Sequence, residues 1–222
     1  MPRLDIWLVE EGKFSSRQAA KRAIKAGQVI VNGKPTKPST QVKGHEIIEI
    51  SQDASDLPVG YTKLKQLDNK SEIDLVKSGD LVLDIGSSAG GFLSYLAEKG
   101  ATAIGIEVSK VFTNKLMAII EGHPRLSLIM GDAFFINPFD ICSEKELDLL
   151  LIDVTTDLQG TISLVERFSP LLKIGGKLVM ALKVKEIEPS LLDKISFLGY
   201  SKTQVYRLDK TRQEIHIIAF RH

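Results

Sequence analysis

The run Leu81-Val-Leu-Asp-Ile-Gly-Ser-Ser-Ala-Gly-Gly-Phe92 restricts what this chain can fold into more than any other stretch. Leu81 to Asp84 reads as a buried strand ending on an acid. Gly86, Gly90 and Gly91 punctuate a tight turn, and Phe92 to Lys99 has the pattern of a helix. Strand, glycine turn and helix in that order belong to open α/β sheets, which offer a ligand backbone amides and a helix N-terminus. The spacing is G-x-x-x-G-G, not the G-x-G-x-x-G of dinucleotide sites. An acid just ahead of the first glycine suits a cationic or hydroxyl-bearing ligand better than a pyrophosphate. From this stretch alone an ordinary strand-to-helix turn stays open.

The residues that follow repeat the alternation. Thr102 to Glu107, Leu126 to Asp132 and Leu147 to Asp153 read as strands ending on carboxylates, with helices over Lys110 to Glu121 and Gln159 to Leu172. Asp84, Glu107 and Asp132 are therefore expected at one sheet edge, where open α/β sheets bind their ligands. Glu107 lies 21 residues after Gly86, about where such a fold places an acid against ribose hydroxyls. Ile174-Gly-Gly176 reads as a turn into a fifth strand, Lys177 to Lys183. A lysine ending so apolar a run is costly unless paired or exposed in a cleft. A helix over Pro189 to Leu198 precedes two β-rich runs, Thr203 to Leu208 and Glu214 to Phe220. Joined by Asp209 to Gln213, these should form an antiparallel pair.

Composition sets the outer limits. A chain of 222 residues accommodates one large domain, or one of ordinary size plus a small one. Hydrophobic content of 43% and charged content of 26% are those of a globular protein. No apolar run approaches the roughly 18 residues that span a bilayer, and Asp5, Glu10 and Glu11 argue against a signal peptide. Cys142 is the only cysteine, so no internal disulfide is possible and a cytoplasmic location is expected. His45, His123, His216 and His222 are scattered without metal-ligand spacing, and no metal is expected.

Charge is uneven. The net charge is +1, yet residues 1–50 carry nine Lys/Arg against five Asp/Glu, and the remainder 20 against 23. Such concentration points to a polyanionic partner for the N-terminal segment. Leu4, Trp7 and Leu8 place a short amphipathic helix over Arg3 to Glu11, closed by Gly12. Ser15 or Ser16 can cap a second helix running to about Ala26. On it Ala20, Ala23 and Ile24 share one face, and Arg17, Lys21 and Lys25 another. A strand over Gln28 to Gly33, a Pro-rich loop from Lys34 to Thr40 and a strand over Glu46 to Ile50 complete the segment. Residues 51–59 read as a polar, acidic linker. A helical pattern then runs from Gly60 to about Val76, with Lys63 and Lys65 where the helix dipole disfavours cations.

These motifs resemble known families. Residues 2–50, with Arg3-Leu-Asp, Ser16-Arg-Gln-Ala-Ala and Ile24-Lys-Ala-Gly-Gln-Val-Ile-Val-Asn-Gly-Lys, resemble the S4 RNA-binding domain. That resemblance implies structured RNA held through phosphates and shape, with Arg3, Arg17, Lys21, Arg22, Lys25, Lys34 and Lys37 on the RNA face. The glycine turn resembles motif I of S-adenosylmethionine (SAM)-dependent methyltransferases, and residues 60–222 resemble the FtsJ-type RNA 2′-O-methyltransferases. A Lys-Asp-Lys-Glu tetrad is matched in order by Lys63, Asp153, Lys183 and Glu214. An S4 domain fused to this fold is the arrangement of the TlyA/hemolysin A family of ribosomal RNA methyltransferases. The implied architecture is a small α+β S4 domain (1–50), a linker (51–59) and a Rossmann-like class I methyltransferase domain (60–222), an α/β fold with a mostly parallel sheet and an antiparallel C-terminal strand.

The resemblance implies SAM as cofactor, held by Asp84, Gly86, Ser88, Gly90, Gly91, Phe92, Glu107, Asp132 and Ala133, and ribosomal RNA as partner, with no membrane. The sequence departs from the family at Val59-Gly-Tyr, Asp153-Val-Thr-Thr and Val184-Lys-Glu-Ile, and Lys65 competes with Lys63 for the first tetrad position. Methylating a ribose 2′-hydroxyl requires aligning oxygen with methyl and removing one proton. Lys183, its pKa expected to be lowered by burial and by Lys63, would polarise or accept that proton, with Asp153 and Glu214 orienting both ammonium groups. The alternatives are a structural ion-pair network at the same residues, a ribosome-assembly factor without catalysis, and a hemolysin-type membrane-active protein. Phe134-Phe135 either borders the adenine pocket or packs in the core, the second being expected, and Tyr61 either stacks on a base or packs.

Overall fold

The computed structural model describes all residues except 15, 52–57 and 210–212, so most of the expected linker, the Ser15 cap and most of the Asp209 to Gln213 connector lie outside the described residues. The chain divides into two compact units, Met1–Pro58 and Val59–His222.

In the first unit, α1 (Leu4–Glu10) and α2 (Arg17–Lys25) pack beside a small sheet. The sheet has the order β2-β1-β3, from β1 (Val29–Val31), β2 (Lys34–Pro35) and β3 (Ile48–Ile50), all antiparallel. Ser16 caps α2 by accepting the Ala19 amide at 3.2 Å. Lys34–Pro35 is not loop, as the prolines suggested, but a short strand. Asn32 and Gly33, at φ of 52° and 73°, make the tight turn whose twist suits a hairpin and fold the chain back onto β1. Leu4, Leu8, Ala20, Ala23, Ile24 and Val29 form the core, so the small-residue face of α2 is the buried one.

The second unit is a seven-stranded sheet with the order β6-β5-β4-β7-β8-β10-β9. Its strands are β4 (Leu81–Ile85), β5 (Thr102–Glu107), β6 (Leu126–Met130), β7 (Leu147–Ile152), β8 (Leu172–Leu182), β9 (Tyr200–Tyr206) and β10 (Ile215–Arg221). The first five pair in parallel; β10 runs antiparallel between β8 and β9. Helices α3 (Val59–Lys70), α4 (Gly91–Lys99), α5 (Thr113–Glu121), α6 (Leu158–Phe168) and α7 (Pro189–Phe197) connect or cover the strands. Both faces of the central strands are buried, as in doubly wound sheets, which is why β7 reads as an unbroken apolar run.

Two boundaries depart from the sequence pattern for visible reasons. Helix α3 stops at Lys70 and does not reach Val76. Buried Asp68 captures the amides of Leu75 and Val76 at 3.0 and 3.3 Å, and also accepts the Tyr95 hydroxyl at 2.6 Å. Those side-chain bonds replace the i−4 carbonyls that a longer helix would supply. Ile174 to Gly176 is not a turn before β8 but an irregularity within it, where pairing with β7 slips between Leu147 and Leu149. Gly175, at φ +78°, permits the slip.

Candidate active site

Strand order reverses between β4 and β7, and the crevice outside their carboxyl ends is where such sheets hold ligands. Gly86 opens that crevice at φ +91°, and a Cβ there would lie 2.5 Å from the Asp153 carbonyl oxygen. Only glycine lets the turn pass this close to the end of β7. At Gly91 a Cβ would meet the Tyr61 amide nitrogen at 2.5 Å, so this glycine lets α4 approach α3.

The three acids expected at the edge differ in environment. Asp84 sits inside β4, fully buried, and neither carboxyl oxygen has a hydrogen-bond partner. Burial pushes its carboxyl up to about 7, and the charges of Asp153 and Glu107 add to the shift. Glu107 ends β5 and accepts the amides of Ser88 and Ser109, each at 2.7 Å. Its carboxylate thus fixes the glycine turn, leaving further lone pairs on both oxygens. Asp132 lies two residues beyond β6, not at the strand end, and accepts the Phe134 amide at 3.0 Å. Ala133 beside it is buried, but Phe134 and Phe135 are 39% and 85% exposed, so the expected core placement fails.

Four side chains from four separate elements close into a ring. Lys63 on α3 contacts Asp153 Oδ2 at 2.5 Å and Glu214 Oε1 at 3.0 Å. Lys183, just past β8, contacts Asp153 Oδ1 at 2.9 Å and also donates to Glu214 Oε2. Each carboxylate therefore bridges both ammonium groups, and each ammonium bridges both carboxylates. Lys65 stays outside, its Nζ 3.4 Å from the Tyr61 hydroxyl and 5.4 Å from that ring. Tyr61 itself is buried edge-on against Tyr95 and donates to Glu98, so it is a packed side chain.

Electrostatics within the ring correct one expectation. Burial alone would lower the Lys183 pKa, but Asp153 and Glu214 outweigh it and hold the ammonium above its usual range. The neighbouring cation, Lys63, is itself neutralised by the same carboxylates. Burial opposes the charged form of Asp153, and Lys63 and Lys183 overcome it, holding the carboxyl low. Glu214 is likewise held well below the carboxylate range against its burial, by His216, Lys183 and Lys63. The lysines carry most of this effect, because both contact the carboxylate directly, whereas His216 Nε2 lies 3.3 Å from Glu214 Oε1 without a hydrogen bond. Sequence reading passed over His216 as one of four scattered histidines. The signal was its position two residues after Glu214, on the same face at the start of a strand.

In the first unit the basic side chains are organised by an acid, Asp5, whose pairing with them the sequence pattern does not reveal. Asp5 is fully buried, and Arg3 Nε, Arg17 and Lys21 approach it at 2.9, 3.3 and 3.6 Å. Burial raises its pKa, but the Arg3 and Arg17 guanidiniums bring it below the usual range. These three cations remain 40–52% exposed, and Lys25, Lys34 and Lys37 are exposed as well. Arg22 is partly buried.

Comparison with known proteins places this geometry. The S4 domain family matches residues 2–48, and the FtsJ-like methyltransferase family matches residues 59–194. The 16S/23S rRNA (cytidine-2′-O)-methyltransferase TlyA of Mycobacterium tuberculosis is 28% identical over 170 residues, 74% of this chain. The chain spans 63% of that relative's length. A putative hemolysin from Streptococcus thermophilus superposes over 98% of this chain and 86% of its own, with a TM-score of 0.62 at 19% identity. The fibrillarin of Aeropyrum pernix, crystallised with S-adenosyl-L-methionine, covers 72% of this chain and 75% of its own, with a TM-score of 0.61 at 24% identity. These structural likenesses speak to the fold. Among the described residues, no helix is long and apolar enough to cross a membrane.

Proposed function

The chain belongs to the FtsJ-like methyltransferase family, with an S4 domain ahead of the family's domain, and we propose that it methylates ribose 2′-hydroxyls of ribosomal RNA using SAM. The observation that carries this reading is the closed Lys63–Asp153–Lys183–Glu214 ring beside the glycine turn. The TlyA relative, named for cytidine 2′-O-methylation of 16S/23S rRNA, supports the acceptor class.

The residues at the turn fit such a cofactor. Asp84 is a buried carboxyl without a partner, a costly arrangement unless a cation or donor completes it. Glu107 keeps lone pairs for ribose hydroxyls, Asp132 and Ala133 border the adjoining edge, and Gly86, Ser88, Gly90, Gly91 and Phe92 shape the turn. When bound, SAM supplies a sulfonium-activated methyl group.

The tetrad then has three tasks. It positions the acceptor, because two ammonium groups fixed by two carboxylates offer donors at defined points. Second, it keeps Lys183 charged, so Lys183 acts by donating to the 2′-oxygen and not as a free amine. Third, it moves the proton. As the 2′-oxygen gains the methyl, its proton passes to the Glu214 carboxylate that Lys183 holds in place, and Lys183 stays an ammonium. A carboxylate with a depressed pKa is a weak base toward a neutral alcohol. It suffices once the new C–O bond has made the oxygen strongly acidic.

RNA is held by the S4 unit through Arg3, Arg17, Lys21, Arg22, Lys25, Lys34 and Lys37. The test is transfer of labelled methyl from SAM to unmodified ribosomal RNA and to assembled subunits, followed by mapping of ribose methylation. Lys183→Ala should retain SAM binding and lose transfer. Wild-type transfer rates in that variant reject the assignment of Lys183, and absence of any ribose methylation by the wild type rejects the activity.

A further inference from the structure

The seven-stranded sheet of the second unit ends on β6 at one edge and β9 at the other, and the two edges are built differently. An edge strand leaves one row of amides and carbonyls unpaired, and natural sheets protect it with charged side chains, prolines or bulges. β9 carries such protection. Its pairing with β10 slips by one residue between Ser201 and Gln204, where Lys202, exposed and at φ 51°, forms a bulge. β6 carries none. Its residues, Leu126-Ser-Leu-Ile-Met130, include neither charge nor proline, and its register with β5 is unbroken. Its surroundings are apolar as well. Met130 is 39% exposed, and Met117 on α5, the helix packed on β6, is 44% exposed. Val111, two residues ahead of α5, is 86% exposed.

The outward-facing groups follow from the ladder with β5. The Ala103 amide donates to the Arg125 carbonyl at 3.0 Å, and the Gly131 amide to the Glu107 carbonyl at 2.9 Å. Alternation along a parallel pair therefore turns the backbone groups of Leu126, Leu128 and Met130 away from β5. The Leu126 amide is taken by the His123 carbonyl at 3.0 Å. Among the described residues, no strand pairs with the rest.

We propose that β6 is a docking edge for β6 of a second copy of this chain, paired antiparallel about a two-fold axis at Leu128. In that register the two Leu128 residues exchange both their bonds, and each Met130 amide donates to the Leu126 carbonyl of the other copy. The contact is self-complementary, as a closed two-fold interface requires. Antiparallel pairing also sets the Arg125 end of one strand against the Asp132 end of the other, so the flanking charges attract. A parallel arrangement would bring like ends together. The axis runs perpendicular to the sheet, so both α5 helices lie on one face of it, with Met117 and Val111 available to cover the seam.

The test is sedimentation of the whole protein at concentrations up to about 1 mM, the weak limit for such an interface, combined with amide hydrogen exchange. A dimer should form, and its Leu128 and Met130 amides should exchange about tenfold or more slowly than in the dilute monomer. Ser127→Lys places a charge on an exposed position of the strand, twice in the dimer, and should weaken association about tenfold or more. The exchange measurement on the unaltered protein decides the matter if that variant does not fold. Three results overturn the inference: a monomer at every concentration, whatever other protein it binds; a dimer whose two amides stay unprotected; or a folded Ser127→Lys that associates as the unaltered chain does.

Discussion

The ring makes a quantitative prediction for a double-mutant cycle over Lys63→Ala and Glu214→Ala. Lys63 is 10% exposed, Glu214 13% and Asp153 17%, so solvent screens these contacts weakly. Lys63→Ala leaves Asp153 and Glu214 sharing a single cation, Lys183, that is itself 35% exposed. Breaking a buried pair by removing one partner costs about 3 kcal/mol or more, chiefly from the charge left uncompensated. Glu214→Ala strands a cation in the same way, although Asp153 still contacts both lysines, and about 2 kcal/mol is expected. The double variant keeps a neutral Asp153–Lys183 pair, so its cost should fall short of the summed singles by about 2 kcal/mol. Urea unfolding followed by far-UV circular dichroism measures this, because the single Trp7 reports only on the Met1–Pro58 unit. Transfer should follow the same logic: each single variant loses about 100-fold or more, and the double falls little further. Additivity of the stabilities within about 0.5 kcal/mol would refute the ring as a coupled unit.

Three other outcomes follow from the geometry. Asp5→Asn removes a negative charge beside three cations, yet RNA affinity should fall about fivefold or more, on the order of 1 kcal/mol, because Arg3, Arg17 and Lys21 lose their anchor. A filter-binding assay showing tighter binding would contradict the orienting role. Gly86→Ala forces a Cβ to 2.5 Å from the Asp153 carbonyl at φ +91°, so SAM binding by calorimetry should vanish, with a stability loss of about 1–3 kcal/mol. For pH, Asp153 and Glu214 have folded pKa values below 3.8 and 4.5. Their contribution is present above those unfolded values and is lost as pH falls through the lower folded ones. Lys183 is raised above 10.5, so its contribution is complete below that value and is lost as pH climbs through the folded pKa. Stability from the ring should thus be flat from about pH 5 to 10, and a steep change near pH 7 that disappears in Lys183→Ala would contradict the signs.

Much of the site was legible before any tertiary structure, for local reasons. The apolar runs ending at Asp84, Glu107 and Asp153 are strands because parallel sheets bury both faces, and the turn from Gly86 to Gly91 needs glycine for steric reasons that any reading of the chain detects. The S4 pattern was legible through resemblance, and resemblance also singled out the four residues that the structure joins in an ion-pair ring. Boundaries were not, where a distant side chain took over backbone bonding, as Asp68 does for Leu75 and Val76.

What the sequence determined by itself was the order of elements, the antiparallel finish and the identity of the charged groups. Only the tertiary structure decided how those groups behave. It separated Lys63 from Lys65, two residues away, by which one reaches Asp153 and Glu214. The direction of the Lys183 shift also reversed. Burial and a neighbouring lysine both argue for a lowered pKa, but two carboxylates brought from β7 and β10 outweigh them. Asp5 gained its place in the same way, through a contact 12 residues away in the chain. Chemistry of this kind depends on distances between charges, and those are set by packing, not by spacing along the chain.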